Sequence, residues 1–249
     1  GSVVSLLQPR LVQGGGEVAD LPGAGMRVLL VEDHEVNRVL ISMQLSQLGA
    51  RVLSAANGRL ALDILQSESV DLVLTDLQMP VMDGAELCRQ LRASARWQQL
   101  PVYVITADLS EQAAQRLADC GCQGHLDKPV LLKELAILLR TVSGRSSVPL
   151  AEEAAVNATP MTTLLNPALI NLYLVSARQD LADIEGCVTA GDEGALNTAL
   201  HKMKGAAKMV GAAALVQVIE RWQRAPGQPL VEELKQAVEE VCRQLGERA

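Results

Sequence analysis

Between Arg27 and Asp127, short apolar runs alternate five times with helix-like stretches, and this rhythm constrains the fold more than any other feature. The runs are "RVLLVE" (27–32), "RVLSAA" (51–56), "DLVLTD" (71–76), "PVYVIT" (101–106) and "GHLD" (124–127). Between and after them come "EVNRVLISMQLSQLG", "GRLALDILQSE", "GAELCRQLRAS", "SEQAAQRLADCG" and "VLLKELAILLRTV". Neighbouring parallel strands need a long crossover, and an amphipathic helix supplies one. Near-continuous apolar strands fit a sheet buried on both faces. The pattern predicts an α/β fold, a doubly wound five-stranded parallel sheet over residues 26–142.

The rest of the chain has a different texture. Residues 1–25 contain Gly14-Gly15-Gly16 without sustained periodicity and read as a flexible lead-in. Gly1-Ser2 reads as a cloning scar, with Met26 well inside the chain, so a fragment of a longer protein is expected. Residues 143–160, "SGRSSVPLAEEAAVNATP", read as a linker. Beyond them strand patterns vanish. Residues 161–249 are helical in composition, with breaks near Gly191, Gly211 and Gly227, and antiparallel helices in an all-α bundle are expected.

The composition excludes several classes. A net charge of −7 argues against nucleic acid as a partner, since phosphate backbones call for clustered Lys and Arg. No apolar run reaches the roughly 18–20 residues of a membrane span, and no signal-peptide pattern opens the chain. The odd number of cysteines, without a disulfide framework, fits reduced thiols and a cytoplasmic location. Cys120-Gly121-Cys122 lacks the partner pair of a zinc site.

In an open parallel sheet the carboxyl ends of the strands form the functional edge. Glu32 and Asp33 end the first strand, Asp76 the third, Thr106 the fourth and Lys128 the fifth. Each alone has a plain structural reading: a strand-ending Asp as a turn or cap residue, a Lys before Pro as a solvated loop residue. Together they place three carboxylates, a hydroxyl and an ammonium in one crevice. Crowded acids repel, and a hard divalent cation such as Mg²⁺ relieves that. Such a site suits phosphoryl transfer to a carboxylate nucleophile.

"VLLVEDHEVNR", "DLVLTDLQMPVMDG", "VYVITA" and "GHLDKP" resemble the response-regulator receiver family, in the form carried inside hybrid sensor histidine kinases. The resemblance implies a flavodoxin-like fold with Asp76 as phosphoacceptor. It implies that Asp33, Asp76 and the Gln78 carbonyl hold Mg²⁺, with Glu32 acting through water, and that Thr106 and Lys128 sense the phosphoryl group. Met79-Pro80 and Asp83-Gly84 would shape the loop after the nucleophile. Where receivers often carry an aromatic switch residue, this chain has His125, which reads either as a surface ring or as a smaller, titratable switch. His34 lies where the family varies and receives no role.

The helical half offers one histidine, His201, in "ALHKMKGAAKMVG". Leu196, Leu200, Met203, Ala207 and Val210 recur at helical spacing as a core stripe. His201, Lys204, Gly205 and Lys208 share another face, which reads as the wet one. Gly205 costs a helix interior roughly 0.5–1 kcal/mol relative to Ala, a cost that suits the close approach of a partner. The plain alternative is a surface histidine beside solvated lysines. "HKMKGAA" followed by Gly211 resembles histidine-containing phosphotransfer (HPt) domains, with His201 as phosphoacceptor and Lys204 and Gly205 in support.

These resemblances imply a phosphorelay. A kinase-core phosphohistidine, from the parent chain or its dimer mate, donates to Asp76. Asp76 passes the group to His201, and His201 donates to a downstream response regulator. Phosphorylation would draw Thr106 inward and repack the fourth helix and fifth strand. A linker of about 17 residues spans roughly 20–25 Å and gives an effective concentration near the millimolar range, which suits transfer within one chain. The alternatives are a degenerate receiver–HPt pair acting as an interaction module, or a phosphate sink. Neither a nucleotide-binding glycine loop nor the Asn- and Gly-rich boxes of kinase cores occur, so this part of a protein-histidine kinase should not use ATP. The parent protein is expected to be anchored in the inner membrane, with no membrane contact by these residues.

Overall fold

The computed structural model describes residues 21–107, 111–144, 167–225 and 230–246. Most of the lead-in, most of the linker and the break expected at Gly227 lie outside them. Residues 21–25, expected in the lead-in, instead form a turn on the edge of the first domain. Gly23 N–H donates to Leu48 O at 2.8 Å, and Pro22 and Gly23 are buried.

The strands are β1 (Arg27–Val31), β2 (Arg51–Ala55), β3 (Leu72–Asp76), β4 (Val102–Thr106) and β5 (Gly124–Asp127). All pair in parallel in the order β2-β1-β3-β4-β5. The connecting helices are α1 (Glu35–Gln47), α2 (Gly58–Ser67), α3 (Gly84–Ala93), α4 (Glu111–Cys120) and α5 (Leu132–Val142). Side chains alternate across the sheet. Val28, Leu30, Leu72 and Leu74 face the layer of α1 and α5, whose Leu40, Ile41, Leu135 and Leu139 are fully buried. Leu29, Val31, Val73 and Val104 face the other layer, with Leu65 of α2, Leu87 and Leu91 of α3 and Ala113 of α4.

The strand order reverses between β1 and β3, which opens a crevice beyond their carboxyl ends. Two short connections shape it. At the β3–α3 turn Asp83 caps α3, its Oδ1 accepting from Glu86 N–H at 2.8 Å, and its Oδ2 pairs with Arg116 of α4 at 2.7 Å. Gly84 is required there, because a Cβ would lie 2.0 Å from Asp76 O. At the β1–α1 turn Arg38 donates to the backbone oxygens of Glu32 and Asp33, at 2.7 and 3.2 Å, and ties the turn down.

Four helices make up the second part among the described residues: α6 (Pro167–Ala190), α7 (Glu193–Met209), α8 (Ala213–Arg224) and α9 (Val231–Gly246). Pro167 opens α6 at the one helical position that tolerates proline well. Asp192 caps α7 by accepting from Ala195 N–H at 2.9 Å. Gly191 and Gly211 fall at the breaks, as expected. Leu200, Met203 and Ala207 of α7 pack with Tyr173, Ile184, Leu215, Ile219 and Leu234 in one core, and Leu196 packs at its edge. This core is continuous with the α1 and α5 face of the first domain, because α6 and α7 rest on α1.

Candidate functional site

The carboxyl edge of the sheet gathers the charged groups expected from the sequence. One oxygen from each of Glu32, Asp33 and Asp76 lies within 4.8 Å of the others. The Lys128 ammonium sits 2.6 Å from Asp76 Oδ2 and 2.8 Å from Glu32 Oε2. Register explains the convergence: Asp76 pairs with Ile105 and Thr106 with Asp127, so Lys128 leaves β5 directly above the crevice, its N–H bonded to Thr106 O at 2.8 Å. Glu32, Asp76, Thr106 and Lys128 are all buried. Glu32 Oε1 accepts from Asn37 Nδ2 at 3.0 Å. Gln78 is half-buried just past the nucleophile position, its N–H 3.4 Å from Asp76 Oδ1.

The electrostatics follow from this crowding. Burial pushes Glu32 up to about 7, with Lys128 opposing the shift and Asp76 adding to it. Burial, and then the Asp76 charge, push Asp33 up to about 6. Burial works against the Lys128 charge, yet Asp76 and Glu32 raise its pKa overall. For both acids the folded-state pKa lies above the ordinary values of 4.5 and 3.8. The folded chain therefore holds more protons than the unfolded one between those limits. The stability these two groups confer is complete below about pH 4 and is lost as pH rises through about 6 to 7. In chelator, the stability of wild type relative to Glu32→Gln should accordingly decline between pH 4.5 and 7.5. A difference that stays level across that window would contradict the assignment.

The buried Glu32 and half-buried Asp33, both held up in this way, form with Asp76 a donor set that fits a hard divalent cation. Hard oxygen donors are the right chemistry, and added positive charge would offset the burial, and the repulsion from Asp76, that raise both pKa values.

Helix α7 lies across the mouth of this crevice. A Cβ on Gly205 would sit 3.4 Å from Lys128 Nζ and 3.5 Å from Asn37 Nδ2, so the helix backbone passes close over the site. Lys208 Nζ, one turn further on, donates to Ala107 O at 2.8 Å, immediately after Thr106. His201 stands one turn before Gly205 on the same side of α7. It is only 7% exposed. The face expected to be wet is thus covered at His201 and Gly205, and at Gly205 and Lys208 it meets the first domain. Lys204 turns aside to α8, pairing with Glu220 at 3.2 Å and Gln223 at 3.4 Å. His125 is exposed on β5, with Nε2 3.9 Å from Asp127 Oδ1.

Sequence reasoning passes over a second polar cluster. His34 Nε2 donates to Asp180 Oδ2 of α6 at 3.1 Å, with Ser176 Oγ 3.2 Å away. Lys202 of α7 pairs with the other oxygen of Asp180 at 2.9 Å. Burial would raise the Asp180 pKa, but the His34 hydrogen bond and Lys202 overcome it and hold the carboxyl below the ordinary range. The available signal is weak: Ser176 and Asp180 stand four residues apart on the buried side of a helix that carries many other polar residues.

A doubly wound sheet with acids, a threonine and a lysine at its edge, facing a histidine on a helical bundle, defines a receiver apposed to an Hpt domain. Residues 28–140 match the response regulator receiver domain, and residues 168–244 match the Hpt domain. The chain belongs to these two families in tandem and is a phosphorelay module of two-component signalling. It is 28% identical over 237 residues to the sensor histidine kinase GacS of Pseudomonas protegens, covering 87% of this chain and 26% of that protein. To the sensory/regulatory protein RpfC of Xanthomonas campestris it is 30% identical over 209 residues, covering 76% and 29%. To the sensor protein EvgS of Escherichia coli it is 28% identical over 206 residues, covering 81% and 17%. The chain thus spans less than a third of these relatives. The receiver domain of the sensor histidine kinase PA1611 from Pseudomonas aeruginosa, solved with magnesium in its active-site cleft, is 32% identical. That match covers 49% of this chain and 99% of that one, at a TM-score of 0.46. No helix among the described residues is long and apolar enough to cross a membrane.

Proposed function

We propose that Asp76 accepts a phosphoryl group from a kinase-core phosphohistidine and passes it to His201 of the same chain, which donates it to a downstream response regulator. One observation carries this reading. Gly205 lies against the same Lys128 ammonium that holds Asp76, so the histidine helix and the carboxylate share a single crevice.

In the first step an Asp76 oxygen bonds to phosphorus as the P–N bond of the donor breaks. In the second, a His201 ring nitrogen bonds to phosphorus as the O–P bond to Asp76 breaks. Lys128 stays beside the reacting oxygens and offsets their negative charge, while the covering α7 excludes water that would hydrolyse the acyl phosphate. Thr106, buried at the end of β4, supplies a hydroxyl to the phosphoryl oxygens. Glu32, Asp33, Asp76 and the Gln78 carbonyl would hold Mg²⁺, which when bound offsets charge on the phosphoryl oxygens. Lys204 and Gly205 support His201, Gly205 by leaving room for the receiver. His125, without aromatic bulk, makes a weakened switch. We take residues 26–142 and 161–249 as the working units, joined through 143–160, in the cytoplasmic part of a membrane-anchored hybrid kinase.

A small acyl-phosphate donor tests the relay. Wild type should accumulate base-stable phosphohistidine after a lag. His201→Gln should instead hold its label as base-labile acyl phosphate. Base-stable label in His201→Gln at the wild-type level would remove His201 from the relay.

A further inference from the structure

The cluster joining His34, Asp180 and Lys202 has no part in the chemistry described above, yet His34 and Asp180 are among the most buried polar groups of the described residues, with Lys202 half-buried at its edge. His34 is 1% exposed and Asp180 2%. It connects three elements: the turn before α1, the middle of α6, and α7 at the residue next to His201. His34 itself directly follows Asp33 of the acid cluster. The acid cluster and His201 thus each have a covalent neighbour in one polar chain, with the buried Asp180 as the shared acceptor.

Buried ion pairs add little net stability, because desolvation offsets the attraction. They impose geometry, since a displaced partner leaves a buried charge unmatched. The His34 imidazole meets Asp180 and Ser176, one turn apart on α6, so its single Nε2 fixes the rotation of that helix over the receiver. Lys202 then carries that constraint to α7. Another polar tie between the domains, Lys208 to the Ala107 carbonyl, engages backbone that any receiver would offer. His34 is a side chain, and a foreign receiver without a donor there leaves Asp180 short of a partner.

We propose that the His34–Asp180–Lys202 chain is a positioning key that seats this Hpt bundle on its own receiver and so favours transfer within the chain over transfer to another receiver. The proposal rests on the Asp76-to-His201 reading above. His34 and Asp180 are positioning residues; neither touches the phosphoryl group.

The test uses the full chain and a small acyl-phosphate donor, with rapid quenching to separate acyl phosphate from phosphohistidine. In His34→Ala and in Asp180→Asn, loading of Asp76 should be unchanged, which also reports an intact receiver. The first-order rate of His201 phosphorylation should fall about tenfold to a hundredfold, the double variant no further than either single one. A second arm mixes chains carrying Asp76→Asn with prephosphorylated chains carrying His201→Gln, so that transfer must occur between molecules. Adding His34→Ala to the Asp76→Asn chain should raise that rate, because its bundle is released from its own receiver. A fall within the chain with a rise between chains is the signature of a key. An unchanged rate within the chain overturns the key while leaving the relay standing. Equal falls in both arms also overturn it, reducing the cluster to a structural role. If wild type itself moves no phosphoryl group to His201, the relay fails, and the key with it.

Discussion

Asp76→Asn should reduce acyl-phosphate labelling of the chain to background while leaving its fold and stability intact. The amide has no anionic oxygen to attack phosphorus, so the loss should be complete at every donor concentration. Stability should survive because the amide keeps an oxygen for Lys128, which holds Asp76 at 2.6 Å in wild type. The substitution also removes one negative charge from a cluster in which Asp76 raises the pKa of both neighbouring acids. It exchanges an ion pair for relief of repulsion, and a denaturant midpoint at or above that of wild type is expected. Labelling that persists at the wild-type level would assign the nucleophile to another residue. A large loss of stability would mean that the Asp76 charge is needed to hold Lys128.

Lys128→Met should have the opposite effect on stability. The ammonium is buried between Asp76 and Glu32, at 2.6 and 2.8 Å, and is the cation that these two carboxylates share. Removing it leaves three neighbouring acids, two of them fully covered, without that compensation. Breaking a buried pair in this way costs about 3–5 kcal/mol. The cost should be greatest near pH 7 in chelator and smaller near pH 5, where Glu32 and Asp33, raised to about 7 and about 6, take up protons. Urea unfolding at both pH values measures it. A loss under about 1 kcal/mol at pH 7, well below the cost of breaking a buried pair, would show that the acids tolerate one another without the ammonium.

Which of these residues can be read from the chain follows from the kind of contact each makes. The three inner strands are legible because they are apolar on both faces, while β2 and β5 at the edges are half exposed, and the observed ends fall within a residue of the expected ones. Asp76 and Thr106 are legible for the same reason, each ending an apolar run, and Lys128 follows the half-exposed edge strand GHLD; the topology of a parallel sheet brings such ends to one edge. The core stripe of α7 is legible through its period, with Leu200, Met203 and Ala207 buried.

The other face of α7 is misread from the sequence. Hydrophobic periodicity reports which side of a helix packs against apolar neighbours. It is blind to a polar side covered by a polar crevice. His201 and Gly205 are buried on one side of α7, which at Gly205 meets the ammonium of Lys128 and the amide of Asn37, so from the sequence they look wet. His34 and Asp180 escape notice because they stand 146 residues apart and acquire meaning only when the two domains dock. Lys204 is expected in support of His201, and its ion pair with Glu220 of α8, a residue of another helix, is not legible from spacing along α7.

The docked arrangement is the centre of the account, and the order of the transfer reaction tests it most directly. Wild-type chain is loaded at Asp76 with a small acyl-phosphate donor, freed of excess donor, and followed for the appearance of phosphohistidine over a wide range of protein concentration. Apposition of Asp76 and His201 within one molecule predicts a single first-order rate constant that does not change across the range. A rate constant that climbs in proportion to protein concentration would mean that the two sites meet only between molecules.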